Sequence, residues 1–244
     1  MKKIIILIHI LLTSALTYAT ELPTVVLVHG AFEDGSSWNK VTSQLIKKGY
    51  KVIALQNNLV SLKEDVDNTQ KVIAKEKQVV LVGHSYGGAV ITQAAFGKSN
   101  VKSLVYIAAF APDETEQLGQ LINKFELAPI NEALQPDETG SIYIKNEKYR
   151  EILINEASNH KALVLAASQR PISGSIFAEP MGKPAWSQIK SWYLLTQKDK
   201  ALLPEVQKFM AERAKSKIMT VDSSHSPHVT HTNKVTKTII EAAQ

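Results

Sequence analysis

The stretch Val79-Val80-Leu81-Val82-Gly83-His84-Ser85-Tyr86-Gly87-Gly88 predicts how the whole chain is organised. Its four apolar residues are typical of a buried strand, and residues 89–96 predict a helix directly after the glycines. Strand, Gly-x-Ser-x-Gly turn and helix, in this order, form the context that presents a nucleophilic serine. Glycines avoid collisions at so tight a turn. We therefore expect the Ser85 hydroxyl to stand above a sheet, at a helix N-terminus that favours negative charge.

Segments on both sides of this stretch predict a single α/β domain over residues 20–244. Apolar runs that read as strands alternate with helical patterns of about a dozen residues, which indicates right-handed βαβ units and a mostly parallel sheet with helices on both faces. Residues 114–190 break this alternation with several short helical patterns and prolines. They predict an inserted cap of helices and loops over the carboxyl edge of the sheet. The predicted strands are 25–28, 52–55, 79–82, 101–108, 191–196 and 217–221.

The first nineteen residues predict a secretory signal. Lys2 and Lys3 precede an apolar run from Ile4 to Leu12, and a more polar segment follows, with cleavage expected after Ala19. The run is short for a bilayer span, which needs about 20 apolar residues. A retained N-terminal anchor is the alternative. We expect an exported protein, periplasmic or secreted, with no stable membrane insertion after the signal is removed.

Composition excludes several classes of function. The 244 residues include 28 basic and 23 acidic side chains, a net charge of +5, and these are spread along the chain without a long block of like charge. This pattern argues against a nucleic-acid partner. The chain has no cysteine, no glycine-rich phosphate loop and no closely spaced histidine–carboxylate cluster. We therefore expect no metal site, no disulfide and no cofactor.

A serine hydroxyl is a weak nucleophile by itself and needs an adjacent general base. Ligand sites in parallel sheets lie beyond the carboxyl ends of the strands, so the base should follow a strand. His225 lies on the loop between the last predicted strand and the final helix, from which it can reach back over the sheet. It is the predicted base, and its rivals on the same stretch are His228 and His231.

Two further histidines lie near strand ends but are not expected to act on the nucleophile. His29 ends the first strand, and we expect it to hydrogen-bond within its own loop. His84 precedes Ser85 directly, and we expect its side chain to point away from the serine on the turn.

The acid that orients the base should also follow a strand. Asp199 lies three residues beyond the strand that ends at Thr196, and it gives the chain order Ser, Asp, His that is typical of this architecture. Asp113 is the rival, while Asp222 is too close to His225 along the chain to face its ring.

An acyl-transfer site also needs backbone N–H groups that point at the developing oxyanion. One donor is expected from Tyr86, directly after the nucleophile, and the other from Ala31 on the loop after the first strand, with Phe32 as the alternative. Gly30 lets that backbone approach closely. Phe32 and Phe110, next to the predicted site, are candidate substrate contacts in an apolar pocket.

With these residues in place, the chain resembles the α/β-hydrolase superfamily over residues 23–243. It is similar to bacterial hydrolases that carry His29-Gly30-Ala31-Phe32-Glu33-Asp34-Gly35-Ser36-Ser37-Trp38, and to the plant methylesterase and hydroxynitrile lyase branch. The resemblance implies a triad of Ser85, Asp199 and His225, but it does not imply the substrate, because one fold hosts many chemistries. From the apolar residues next to the site we expect a cofactor-free hydrolase of a small-molecule ester with a largely apolar acid or alcohol.

The chain departs from the lyases at two positions. They carry a threonine where Gly30 stands and, directly after the catalytic histidine, a lysine that handles the cyanide leaving group, where Ser226 stands. These departures favour ester hydrolysis. The alternatives are a ligand-binding or signalling protein on the same scaffold, and a lyase or perhydrolase that uses the same serine.

Overall fold

A computed structural model describes residues 21–244, so the predicted signal segment lies outside the described residues. The strands are β1 (Thr24–Val28), β2 (Val52–Leu55), β3 (Val79–His84), β4 (Val101–Ile107), β5 (Leu134–Pro136), β6 (Ser141–Ile144), β7 (Ile172–Ser173), β8 (Ser191–Thr196) and β9 (Lys217–Val221). Six of them form the central sheet, in the order β2-β1-β3-β4-β8-β9. Every neighbouring pair in this sheet is parallel. The predicted α/β fold is confirmed.

Helices cover both faces of this sheet, and others lie in the inserted segment. They are α1 (Asn39–Lys47), α2 (Leu62–Ile73), α3 (Tyr86–Ala94), α4 (Leu118–Ile122), α5 (Ile130–Ala133), α6 (Asn146–Leu153), α7 (Asn159–Ala167), α8 (Pro204–Arg213), α9 (Pro227–Thr230) and α10 (Thr232–Ala243). Their starts follow the sequence: the Ser61 hydroxyl accepts from the Glu64 N–H at the start of α2, and proline opens α8. Within residues 21–244, no helix is long and apolar enough to cross a bilayer.

The alternation of side chains along β3 explains why the sheet is covered twice. Val79 and Leu81 pack with the apolar residues of α2, α3 and α8 on one face, and Val80 and Val82 pack with those of α1 and α10 on the other. All four side chains are fully buried, as a strand enclosed on both faces requires. The core therefore holds β3 in the middle of the sheet and places its carboxyl end at the centre of the edge.

Residues 114–190 form the segment between β4 and β8. It contains α4 to α7 and also a small antiparallel sheet in the order β5-β6-β7, which the sequence analysis did not predict. An ion pair between Glu116 and Arg213 of α8 ties the start of this segment to the main domain, with Nη1–Oε1 at 2.6 Å. The Trp186 indole N–H donates to the Pro112 carbonyl at 2.9 Å near its other end. Both ends of the segment are thus tied to residues outside it.

Candidate active site

Ser85 lies between the end of β3 and the start of α3, in backbone geometry that side chains rarely adopt. Its φ is +50° and its ψ is −121°. The turn can form because its flanks lack side chains: a Cβ on Gly83 would lie 2.6 Å from the Gly87 carbonyl oxygen, and one on Gly87 would lie 2.4 Å from the Val28 oxygen. The glycines of the motif therefore allow strand, turn and helix to pack at this spacing, and the turn presents Ser85 at the helix N-terminus.

His225 lies on the loop after β9 and reaches the serine. Its Nε2 is 2.8 Å from the Ser85 Oγ, and its Nδ1 is 2.8 Å from Oδ2 of Asp199. All three residues are buried. Because a carboxylate only accepts hydrogen bonds, Nδ1 carries the proton, and Nε2 is left with a lone pair that faces the serine hydroxyl. The three residues predicted from separate strand ends form one continuous hydrogen-bonded chain.

Asp199 is surrounded by hydrogen-bond donors. Its Oδ1 accepts from two backbone N–H groups, and its Oδ2 accepts from two side chains besides His225, each at 2.8 Å. With His225 these make five donors, so both carboxylate oxygens are held in a fixed position against the imidazole. The four donors other than the histidine belong to Ala201, Leu202, Thr196 and Gln207.

The rival acids lie elsewhere. The Asp113 carboxylate accepts from the backbone N–H of Glu114 at 2.8 Å and makes no contact with His225. Asp222 pairs with Lys198 at 2.8 Å, and both side chains are mostly exposed. Of the three carboxylates weighed from the sequence, the structure brings only Asp199 to the imidazole.

The residues that carry the predicted oxyanion donors line the same cavity as the serine. Tyr86 is the first residue of α3, and Ala31 lies on the loop after β1. Within residues 21–244, neither backbone N–H donates to another protein group. The Phe32 backbone, the alternative donor, has a φ of +64° and contributes to the same cavity. Two free N–H groups beside a serine hydroxyl can hold a negatively charged oxygen.

The cavity over Ser85 is narrow, about 30 Å³, and mostly apolar. Phe32 and Phe110, the predicted substrate contacts, both line it, and the Tyr149 hydroxyl approaches the Phe32 carbonyl at 3.4 Å. The inserted segment contributes apolar side chains that the sequence analysis did not name. These are Ile122, Ile130, Leu153 and Phe177.

A second group of polar side chains packs behind the triad, and the sequence did not predict it. Glu33, His84 and His228 place their ligand-capable atoms within 4.8 Å of one another, although the sequence shows no closely spaced histidine–carboxylate cluster. His84, whose side chain was expected to point away from Ser85, packs against the base: its ring centroid lies 4.9 Å from that of His225. Because Glu33 is 51 positions from His84 and 195 from His228, no spacing pattern could have revealed the cluster.

Hydrogen bonds fill this cluster. Oε1 of Glu33 lies 2.5 Å from Nδ1 of His84 and accepts from the Gly30 N–H at 2.9 Å, while Oε2 lies 3.0 Å from Nε2 of His228. Burial raises the pKa of the Glu33 carboxyl, but the two histidines outweigh it and hold that pKa well below its usual range. The three side chains could in principle ligate a metal ion, but their direct contacts satisfy one another.

His29 has the local role expected from the sequence. Its Nδ1 lies 2.8 Å from the Gly30 carbonyl oxygen, and its Nε2 accepts from the Asn57 N–H at 2.9 Å. This pairing defines a neutral tautomer with Nδ1 protonated. Burial is the main cause that lowers the His29 pKa, in agreement with a neutral ring that braces the loop after β1.

Comparison with known proteins agrees with this geometry. The sequence model of the alpha/beta hydrolase family matches residues 25–237. The chain is 29% identical to the alpha/beta hydrolase nvfD of Aspergillus novofumigatus over 91% of its own length and 96% of that protein. It is 34% identical to the carbendazim hydrolyzing esterase of a Nocardioides species over 113 residues, 41% of this chain and 47% of that enzyme.

Solved structures show the same fold. The pyrethroid hydrolase of Sphingobium faniae superposes with a TM-score of 0.78 at 21% identity, covering 91% of this chain and 97% of that one. At this identity the superposition speaks for the fold, while the sequence match over residues 25–237 speaks for the family. The chain belongs to the alpha/beta hydrolase family.

Proposed function

We propose that the protein is a serine hydrolase that cleaves a small, largely apolar carboxylic ester through an acyl-enzyme. The observation that carries this proposal is the continuous chain Ser85–His225–Asp199, with both links at 2.8 Å, which opens onto an apolar cavity beside two free backbone N–H groups. Nucleophile, base, orienting acid and oxyanion donors are the four parts that acyl transfer requires.

In the first half-reaction, His225 Nε2 takes the hydroxyl proton of Ser85 while Oγ attacks the ester carbonyl carbon. The carbonyl electrons move to the oxygen, and the N–H groups of Ala31 and Tyr86 stabilise the resulting oxyanion. Asp199 holds the imidazole in the reactive tautomer and stabilises the imidazolium that forms. Collapse of the tetrahedral intermediate expels the alcohol, to which His225 returns the proton.

In the second half-reaction, His225 removes a proton from water, and the hydroxide attacks the acyl-enzyme carbonyl. The same N–H groups hold the second oxyanion, and Ser85 leaves with the proton that His225 carries. The products are the free acid and the regenerated serine. The chain's own side chains supply every proton transfer in this cycle.

The lining of the cavity supports the class of substrate. Phe32, Phe110 and Leu153 offer hydrocarbon to the acyl or alkyl group, and the narrow space favours a short one. The relatives agree with ester chemistry in their names: the Nocardioides protein is an esterase and the Sphingobium protein a hydrolase of pyrethroids. Among the described residues that line the cavity, none is a lysine, and Ser226 occupies the position at which the lyases carry one.

Turnover of p-nitrophenyl acetate and p-nitrophenyl butyrate by the purified protein and by Ser85→Ala tests this proposal. We expect the wild type to hydrolyse both esters and the variant to lose nearly all activity, while Ser99→Ala, an exposed serine away from the site, behaves as wild type. A fluorophosphonate should label wild type at Ser85 only. Equal rates for wild type and Ser85→Ala would refute the proposal. An inert wild type whose melting temperature rises with added ligand would favour the binding-protein alternative.

A further inference from the structure

Both ring nitrogens of His84 face oxygen atoms that accept hydrogen bonds. Nδ1 lies 2.5 Å from Oε1 of Glu33, and Nε2 lies 2.9 Å from the main-chain carbonyl oxygen of His225. The ring is buried and touches the ring of the proposed general base. A carbonyl oxygen never donates, so the contact with His225 requires a proton on Nε2.

The contact with Glu33 requires a second proton. Three donors converge on its carboxylate: Nδ1 of His84 and the Gly30 N–H at Oε1, and Nε2 of His228 at Oε2. A carboxylate that accepts from three donors is most stable ionised, so the proton between Glu33 and His84 resides on the histidine. His84 is therefore a buried imidazolium whose charge is balanced by Glu33.

The other charged and titratable groups around this ring fit that assignment. Within residues 21–244, the buried Nδ1 of His228 has no hydrogen-bond partner, which is expected of a neutral ring that donates through Nε2. Burial lowers the pKa of His228 to about 4. Burial also lowers the pKa of His84, but Glu33, the His225 carbonyl and Asp199 outweigh it and raise that pKa above its ordinary value. The imidazole of His225 is the remaining group that faces His84.

We propose that the buried ion pair of Glu33 and His84 positions the general base, with the imidazolium holding His225 by its main-chain carbonyl. This inference rests on the proposed function of His225. A hydrogen bond to that carbonyl fixes the peptide plane of His225 and the direction in which its ring leaves the backbone, at the point where the loop after β9 turns into α9. Glu33 and His84 are positioning residues, since neither is required to exchange a proton with substrate.

The geometry favours this ion pair over a metal site. Zinc ligands at about 2.0–2.1 Å from a tetrahedral ion are separated by about 3.3 Å, whereas Glu33 and His84 are 2.5 Å apart. A ligating imidazole also donates its other N–H to an acceptor, and Nδ1 of His228 has none within the described part of the chain.

Histidine-selective ¹⁵N NMR of the wild type and of Ser85→Ala at pH 8 tests the proton count without any need for turnover. We expect both nitrogens of His84 to be protonated, and the downfield proton on Nδ1 of His225 to be sharp. In Glu33→Gln, which keeps the size but not the charge, His84 should lose one proton and the His225 signal should broaden. Asp34→Asn, on the same loop, is the matched control because asparagine also caps the helical turn that Asp34 caps.

Kinetics supply the second readout. The charge of Glu33 raises the pKa of His84, and an opposite charge within hydrogen-bond distance shifts a pKa by about 1–3 units. In Glu33→Gln the pKa of His84 should therefore fall, and the alkaline limb of kcat should move to lower pH by about one unit or more. Its kcat should fall by about tenfold or more, with KM little changed. Glu33→Asp keeps the charge on a shorter side chain, so its kcat and its alkaline limb should lie between those of the wild type and those of Glu33→Gln. It also serves if Glu33→Gln fails to fold.

Three results would overturn the ion pair. They are a singly protonated His84 in the wild type at pH 8, an unchanged His225 signal and pH profile in Glu33→Gln, and stoichiometric Zn²⁺ binding that removes the His84 Nδ1 proton. The two proposals can fail separately. If the wild type is inert but His84 is doubly protonated and the His225 signal broadens in Glu33→Gln, the esterase proposal is refuted and the ion pair is supported.

Discussion

The Asp199 carboxylate and the His225 imidazole meet at 2.8 Å across two neighbouring parallel strands, Asp199 after β8 and His225 after β9. Thr196 of β8 pairs with Val221 of β9, so the two loops leave the sheet side by side. The contact is therefore a consequence of sheet register. The remaining hydrogen bonds to Asp199 come from Thr196 at the end of β8, from its own loop and from α8.

Replacement of Asp199 and of Asp113, one at a time, shows which of the two aspartates orients His225. In Asp199→Asn the side-chain amide can donate to Nδ1 of His225, which favours the wrong tautomer, and we expect kcat to fall by about 10⁴-fold. Asp113→Asn should remain close to wild type, because among the described residues the Asp113 carboxylate hydrogen-bonds only with the N–H of its neighbour Glu114. Ester hydrolysis under saturating substrate measures both. A loss in Asp113→Asn as large as that in Asp199→Asn would contradict the assignment.

Gly30 has no space for a side chain. A Cβ there would lie 2.8 Å from the Ser85 Cβ and 2.9 Å from Nδ1 of His84, closer than real contacts allow. Gly30→Ala should therefore displace the loop that carries the Ala31 N–H, and we expect kcat to fall by about 10²–10³-fold. Gly182→Ala is the control, since its Cβ would meet nothing nearer than 3.5 Å. Full activity in Gly30→Ala would exclude this loop from the oxyanion site.

His228 should make the fold sensitive to acid. Burial, the main cause, lowers its pKa from 6.5 to about 4. The folded state thus binds fewer protons than the unfolded state between these values, and stability is lost as pH falls from 6.5 towards 4. The neutral, buried His228 thus accounts for about 3 kcal/mol of the free energy of unfolding that is lost over this pH range.

His228→Gln keeps a donor for Glu33 but cannot titrate, so its unfolding free energy should depend less on pH in this window. Urea unfolding at several pH values compares the two proteins. Parallel curves for wild type and variant would contradict a neutral, buried His228.

The cap segment should select the length of the substrate. Ile122, half-buried in α4, lines the narrow cavity. Ile122→Ala should raise the kcat/KM of p-nitrophenyl butyrate relative to acetate by about tenfold, because each methylene in an apolar pocket contributes about 1–3 kcal/mol. Leu127→Ala, at a 69% exposed position of the same segment, is the control. If the ratio of the two kcat/KM values is unchanged in Ile122→Ala, the acyl chain of the substrate does not bind against Ile122.

Export is a separate proposal from the N-terminal sequence, which lies outside residues 21–244. We expect N-terminal sequencing of protein recovered from the periplasm or the medium to begin at Thr20. A membrane-bound product that still begins at residue 1 would favour the retained anchor.

The local features of this protein could be predicted from the sequence because their causes are local. An apolar run that is followed by Gly-x-Ser-x-Gly and a helical pattern contains all that β3, the turn at Ser85 and α3 require. The order of strands along the chain then placed Asp199 and His225 beyond strand ends, and the shared edge of a parallel sheet explains why they meet.

Tertiary structure alone decided what lies behind and above the serine. Glu33 follows β1, His84 ends β3 and His228 lies in α9 after β9, and the three meet because these strands end at the same edge of the sheet. Their proton count depends on distances that sequence spacing does not encode. The small sheet of β5 to β7 was missed because strands of two to four residues carry too few side chains to show a period. The nucleophile was thus determined by its neighbours along the chain, whereas the charge of the histidine beside it was determined by groups that only folding brings near.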